Sequence, residues 1–172
     1  MTEPAFTLGQ GYRIEPYDGQ EAIGDDALIA MWINAGALSA EEASRRVGEV
    51  VLVATFEGAL AGVATAYLAT HRQLCMPLWH GRVFVAREHR RGGLAIGLAA
   101  GTLDLLRDRF VSGADTRAAG MVFEVESEIL QRYLPLARWR RTGFTFVGLN
   151  PLGAHVRVVY FPGALAPAHG SA

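Results

Sequence analysis

A chain of 172 residues can bury one sizeable core without a metal or disulfide staple, and with 51% apolar against 19% charged residues it falls outside the disordered class. The formal net charge of -1 gives no general electrostatic basis for binding nucleic acid or an anionic membrane, and a lone Cys75 leaves no intrachain disulfide to form. No segment reaches ~18 uninterrupted apolar residues, and the start at Glu3-Pro4 does not read as a secretory leader, so the expected location is cytoplasmic.

In chain order, a short strand is expected over Tyr12 to Pro16. Asp18 and Gly19 lead into a helical region, because Ile23, Ala27, Leu28, Met31 and Trp32 recur at three- and four-residue spacing; Asn34 and Gly36 end it. Ser39 followed by Glu42 is a capping-box pattern, in which each side chain satisfies an amide at the start of a second, shorter helix. Val50 to Phe56 is β-branched, nearly all apolar and short, the pattern of a central strand covered on both faces. Glu57-Gly58 makes a turn, and Leu60 to Leu68 returns as its antiparallel partner.

Cys75 is expected to be a buried small hydrophobe. Trp79 to Val85 form a third long strand. Leu94 to Phe110 is the best helix, with an apolar stripe of Ile96, Ala99, Leu103, Leu106 and Phe110 opposite Asp104, Arg107 and Asp108. Met121 to Val125 is a further strand, and Ser127 caps a helix that must stop or kink near Pro135. Phe144 to Gly148 and Val156 to Phe161 pair as late antiparallel strands across Asn150-Pro151-Leu152-Gly153. With no repeat and no linker, residues 1–161 are expected to form a single domain, and 162–172 a frayed tail. The order suits an α/β (α+β) fold, a mixed sheet with helices on both faces.

The stretch from Val83 to Ala95 is the most informative. A strand ends, a basic turn comes next, and small residues open an amphipathic helix. The first turn of a helix leaves amide donors without internal acceptors, and the helix dipole adds positive potential there. Gly92 and Gly93 have no Cβ, so an anion can approach the backbone closely, and Arg90 and Arg91 add charge-assisted donors at the rim. Together these make an anion site; the competing reading is a glycine-softened turn with solvated arginines.

Arg90-x-x-Gly93-x-Ala95, after a strand and before a long helix, resembles the coenzyme A signature of the GCN5-related N-acetyltransferase (GNAT) superfamily. The element order from about Tyr12 to Phe161 is similar to that family too, as is Gly143-Phe144 at the entry to the penultimate strand. The resemblance implies an acetyltransferase-like, mostly antiparallel sheet flanked by helices, with acetyl-CoA or another acyl-CoA as cosubstrate. It also implies that the amides of Arg91, Gly92, Gly93, Leu94 and Ala95 cradle the pyrophosphate. The backbone of Phe84 and Val85 would hold the pantetheine arm where two parallel strands splay. The acyl group would pass directly to an amine, of a small molecule or a peptide.

Direct transfer needs a base for the amine proton and an acid for the departing thiolate. Many members of the family place a tyrosine four residues before the Gly-Phe pair; here that position is Trp139, whose indole is no proton source near neutral pH. Tyr133, six residues earlier, is the substitute candidate or a packing residue. For the base, the candidates are His80, on the strand before the turn, and Glu124, which shares a strand face with Glu126. His80 can equally be a satisfied core or rim histidine, and Glu124 a solvated strand end. His71, His89 and His155 show no metal-site spacing.

Two other readings remain: a catalytically weak coenzyme A-binding regulatory module, which Trp139 keeps open, and a structural protein with no acyl ligand. The family's acceptor is shaped by the first helices and the late hairpin, here Asp18 to Val47 and Leu149 to His155. Their few charges suggest a small or moderately apolar amine. The apolar content also permits a homodimer.

Overall fold

β1 (Tyr12–Pro16), β2 (Val50–Phe56), β3 (Ala59–His71), β4 (Met76–Val85), β5 (Gly120–Val125), β6 (Thr145–Leu149) and β7 (His155–Tyr160) form one sheet in the order β1-β2-β3-β4-β5-β7-β6. Among the described residues three helices accompany them: α1 (Asp25–Asn34), α2 (Ala40–Arg46) and α3 (Leu94–Val111). The computed structural model describes residues 7–18, 23–90, 93–126, 131 and 135–167. β4 and β5 run parallel, whereas β1–β2, β2–β3, β5–β7 and β6–β7 are antiparallel. This is the mixed, mostly antiparallel sheet expected from the sequence. Among the described residues no helix is long and apolar enough to cross a membrane. The helix expected after Ser127 falls largely outside the described residues.

The chain divides into two compact units, one spanning residues 5–66 and 82–102, the other built mainly from 67–81 and 103–172. In the first unit, alternation along the strands sends neighbouring side chains to opposite faces. Val53, Val63 and Phe84 pack with Leu28 and Trp32 of α1 and Ala43 of α2. Leu52, Gly62 and Val85 face α3 instead: a Cβ on Gly62 would lie 3.2 Å from Leu98 Cδ1 and 2.9 Å from the Phe84 carbonyl, and one on Gly101 would lie 2.9 Å from Leu52 Cδ1. Helices therefore cover both faces. α2 begins with the expected box, Ser39 Oγ accepting from the Glu42 amide while the Glu42 carboxylate accepts from the Ser39 amide.

The buried face of α3 departs from expectation. Leu94, Leu98, Thr102, Leu103 and Leu106 are buried, while Ile96, Ala99 and Phe110 are only half-buried. The first turns read Leu-Ala-Ile-Gly-Leu-Ala-Ala-Gly, apolar nearly all round, so periodicity cannot select a face; the close fit of Leu98 over Gly62 does. Thr102 stays in the core because its hydroxyl donates to the Leu98 carbonyl at 2.8 Å.

In the second unit, Met76 and Leu78 of β4, Val122 of β5, and Val156 and Val158 of β7 form one apolar cluster. Cys75 is a correction: it is exposed in the turn between β3 and β4, at φ 51, with its thiol donating to the Arg72 carbonyl.

Candidate functional site

β4 ends at Val85, and the Ala86 amide donates to the Ala61 carbonyl at 2.9 Å, holding the exit of the strand. A single 3-10 turn over Arg87–His89 comes next, then Arg90, and Gly93 opens α3 at φ +71. An L side chain in that region costs about 1–2 kcal/mol, so glycine suits both the turn and close approach of a ligand. The Gly93 carbonyl accepts from the amides of Ile96 and Gly97 at 3.0 and 3.1 Å, which starts the helix. Leu94 and Ala95, in the first turn of α3, have no acceptor within the helix itself. Leu94, 1% exposed, anchors this end in the core.

Charge sharpens the picture. α1 carries Asp25 and Asp26 in its first turn and α2 carries Glu41 and Glu42, whereas α3 carries no acid there. No acid of that first turn offsets the positive end of its helix dipole. Arg90 differs from expectation, because its Nε donates to the Val85 carbonyl at 3.1 Å, closing the turn onto the strand end. One acceptor of the expected Phe84–Val85 edge is thereby engaged within the chain. The Tyr12 hydroxyl lies 2.8 Å from His89 Nδ1, and both rings pack against Phe56, tying the turn to β1 and β2. Arg91 and Gly92 lie outside the described residues.

The second unit holds the candidates for proton transfer. The β4–β5 ladder pairs Trp79 with Met121, His80 with Val122 and Gly81 with Phe123, so His80, Val122 and Glu124 share one face. The His80 ring stacks between Tyr67 and His71, with centroids 4.9 and 5.7 Å away. His71 is buried, and its Nδ1 accepts from the Leu74 amide. Glu124 is exposed and its carboxylate accepts from Asn150 Nδ2, in the turn between β6 and β7. Glu126 lies just past the last residue of β5, so the expected strand pair of carboxylates is not formed. Trp79 points the other way and lies under the Arg117 guanidinium, at 5.3 Å. Tyr133 lies outside the described residues.

Trp139 is a packing residue. It is 9% exposed, its ring lies 4.5 Å from the Arg157 guanidinium carbon and it meets Phe144 edge-on at 6.1 Å. Arg157, 1% exposed, pairs in register with Phe123 and donates to the Leu136 carbonyl at 2.9 Å. Phe123 and Arg157 belong to the opposite face from Val122 and Glu124. Sequence reasoning missed Arg157, although a lone charge among the valines of His155-Val-Arg-Val-Val-Tyr signals a buried, partnered cation. It also missed Tyr67 and His71, whose spacing of four on one strand places them on a common face.

No protein-family model matches the chain, and no curated protein matches it either. Among solved structures, a GNAT-family acetyltransferase from Streptococcus pneumoniae is similar at 12% identity and TM-score 0.57, over 87% of this chain and 99% of that one. A GNAT-family acetyltransferase from Brucella melitensis in complex with acetyl-CoA is similar at 16% identity and TM-score 0.52, over 90% of each chain. Naa50 of Arabidopsis thaliana in complex with a bisubstrate analogue is similar at 12% identity and TM-score 0.55, over 88% and 99%. The fold is that of the GNAT acetyltransferases.

Proposed function

We propose that the protein is an N-acyltransferase that moves the acyl group of acetyl-CoA or another acyl-CoA directly to an amine. The observation that carries this reading is the start of α3. A positive-φ glycine, two helix amides without intrahelical acceptors and an acid-free first turn meet one short turn after a strand, in the GNAT fold. Gly93, Leu94 and Ala95 would hold the diphosphate, with Arg91 and Gly92 completing the loop and the Arg90 tie to Val85 bracing it. The cosubstrate supplies the thioester. The amine nitrogen attacks its carbonyl carbon, the carbon–sulfur bond breaks, and the coenzyme leaves as a thiol after taking a proton.

His80, or a water held by Glu124, would accept the amine proton, and Tyr133 would serve the thiolate. The packing of Trp139 against Arg157 and Phe144 favours Tyr133 over it as donor. The same packing supports a second reading, a coenzyme A-binding module with weak turnover. Thiol release from acetyl-CoA with a panel of amines, beside calorimetry with coenzyme A, separates the readings. Turnover supports the enzyme, binding without turnover supports the module, and no binding sinks both. For His80, the expected result of His80→Ala is a lower rate and loss of the acid limb of the pH profile. An unchanged profile removes it from the mechanism.

A further inference from the structure

The turn that joins β6 to β7 is built around one side chain. Asn150 Oδ1 accepts from the amides of Leu152 and Ala154, both at 2.9 Å, and the Asn150 main-chain amide donates to the Ala154 carbonyl at 3.0 Å. Only an oxygen accepts those two bonds, so the nitrogen of the side chain is the end that faces β5, where it donates to Glu124 Oε2. An aspartate would close the same turn. What the amide alone supplies is a donor toward Glu124, without a second negative charge beside it.

Glu124 stands where the pairing of β5 changes. Among the described residues the β4–β5 ladder ends at Gly81–Phe123, and Glu124 is the next residue of β5, still paired with Val156 of β7. It is exposed and shares a face with His80. An exposed glutamate samples many rotamers; pinning one carboxylate oxygen restricts them and fixes where the other oxygen points.

We propose that Asn150 is a positioning residue for acyl transfer, pinning Oε2 of Glu124 so that Oε1 holds the water that takes the proton of the attacking amine. The inference rests on the acyl-transfer reading, and on the alternative within it that uses a water held by Glu124. As the carbon–nitrogen bond forms, the amine proton passes to that water and a proton of the water passes to the carboxylate. The carbon–sulfur bond then breaks, and the coenzyme thiolate takes a proton in its turn.

Asn150→Asp is the informative variant, because it keeps both bonds that close the turn and removes only the donor to Glu124. Its melting temperature should stay within about 3 °C of wild type. With acetyl-CoA and a panel of primary amines, kcat should fall about tenfold; the KM for acetyl-CoA should not change, since no residue proposed to hold the coenzyme is touched. Glu124→Gln, which keeps an acceptor for the Asn150 amide but loses the charge, should lower kcat by as much. In that background Asn150→Asp should cost less than about twofold more, because it acts through the carboxylate. Where Asn150→Asp melts lower than this, Asn150→Ser takes its place: its hydroxyl accepts from such turn amides and lies one bond nearer the main chain.

Equal kcat in wild type and Asn150→Asp, or losses that multiply in the double variant, would overturn the proposal and leave acyl transfer standing. So would an undiminished rate in Glu124→Gln, which hands the proton to His80. A kcat that falls only as far as the melting temperature does, in both variants of Asn150, would make it a turn residue alone. A wild-type chain that turns over none of the amines removes the acyl-transfer reading itself, and the role of Asn150 goes with it.

Discussion

Two stretches of this chain share nearly one sequence pattern and take different local structures. His89-Arg90-Arg91-Gly92-Gly93-Leu94 and Trp139-Arg140-Arg141-Thr142-Gly143-Phe144 each run from an aromatic ring through two arginines to a glycine and a buried apolar residue. Gly93 and Gly143 have similar φ, +71 and +79. After Gly93 the chain enters a helix, whose first amides have no acceptor within that helix. After Gly143 it enters a strand, and the loop closes on itself: the Gly143 amide donates to Trp139, the Trp139 amide to Phe144 and the Phe146 amide to Ala137. A glycine between arginines and a hydrophobe does not by itself favour an anion; a helix that the glycine opens does.

The largest effect is expected at the closed loop. Arg157 supports it from below through the Leu136 carbonyl and the Trp139 ring. Arg157→Ala removes a buried donor, a cation–π contact and much volume, and should cost about 3 kcal/mol in urea denaturation. A loss below about 1 kcal/mol would mean that the loop holds itself. The sharper test is a matched pair. Gly93→Ala and Gly143→Ala should each destabilise by about 1–2 kcal/mol, because both force a side chain into left-handed backbone. Only Gly93→Ala should also weaken coenzyme A binding, by tenfold or more in calorimetry. If both variants weaken it equally, the distinction between the two stretches fails.

Trp139→Tyr asks whether a phenol at the family's tyrosine position restores a proton donor. It should not, because that position is packed between Arg157 and Phe144. The expected outcome is about 1 kcal/mol of lost stability and an unchanged pH–rate profile. A new basic limb in that profile would show that the hydroxyl reaches the chemistry.

Local features were legible in the sequence. The Ser39–Glu42 cap, the Glu57-Gly58 turn and the β1 boundaries depend on residues within a few positions of each other, and all take the expected form. Features set by distant packing were not. The buried face of α3 was decided by Gly62 and Leu52, some forty residues away, and the role of Trp139 by Arg157 on a later strand. The candidate site divides the same way. Its proposed anion-binding part is a local motif, whereas the surroundings of His80, set by Tyr67 and His71, come from the neighbouring strand.

The smallest effect contrasts the start of α3 with that of α1. Asp25, in the first turn of α1, accepts a hydrogen bond from the Tyr17 hydroxyl. Burial, that bond and the carboxylate charge push the Tyr17 hydroxyl from 10.0 up to about 12. The fold favours the neutral phenol, so this stabilisation is complete below pH 10 and is lost as the pH rises from 10 through 12. Wild type should therefore exceed Tyr17→Phe in stability by less than about 1 kcal/mol at pH 8, and the margin should shrink at pH 11. The α3 start has no such acid, so coenzyme A binding at pH 8 should be the same in both proteins. A margin constant from pH 8 to 11 would show that Asp25 answers its own helix dipole without help from the phenol.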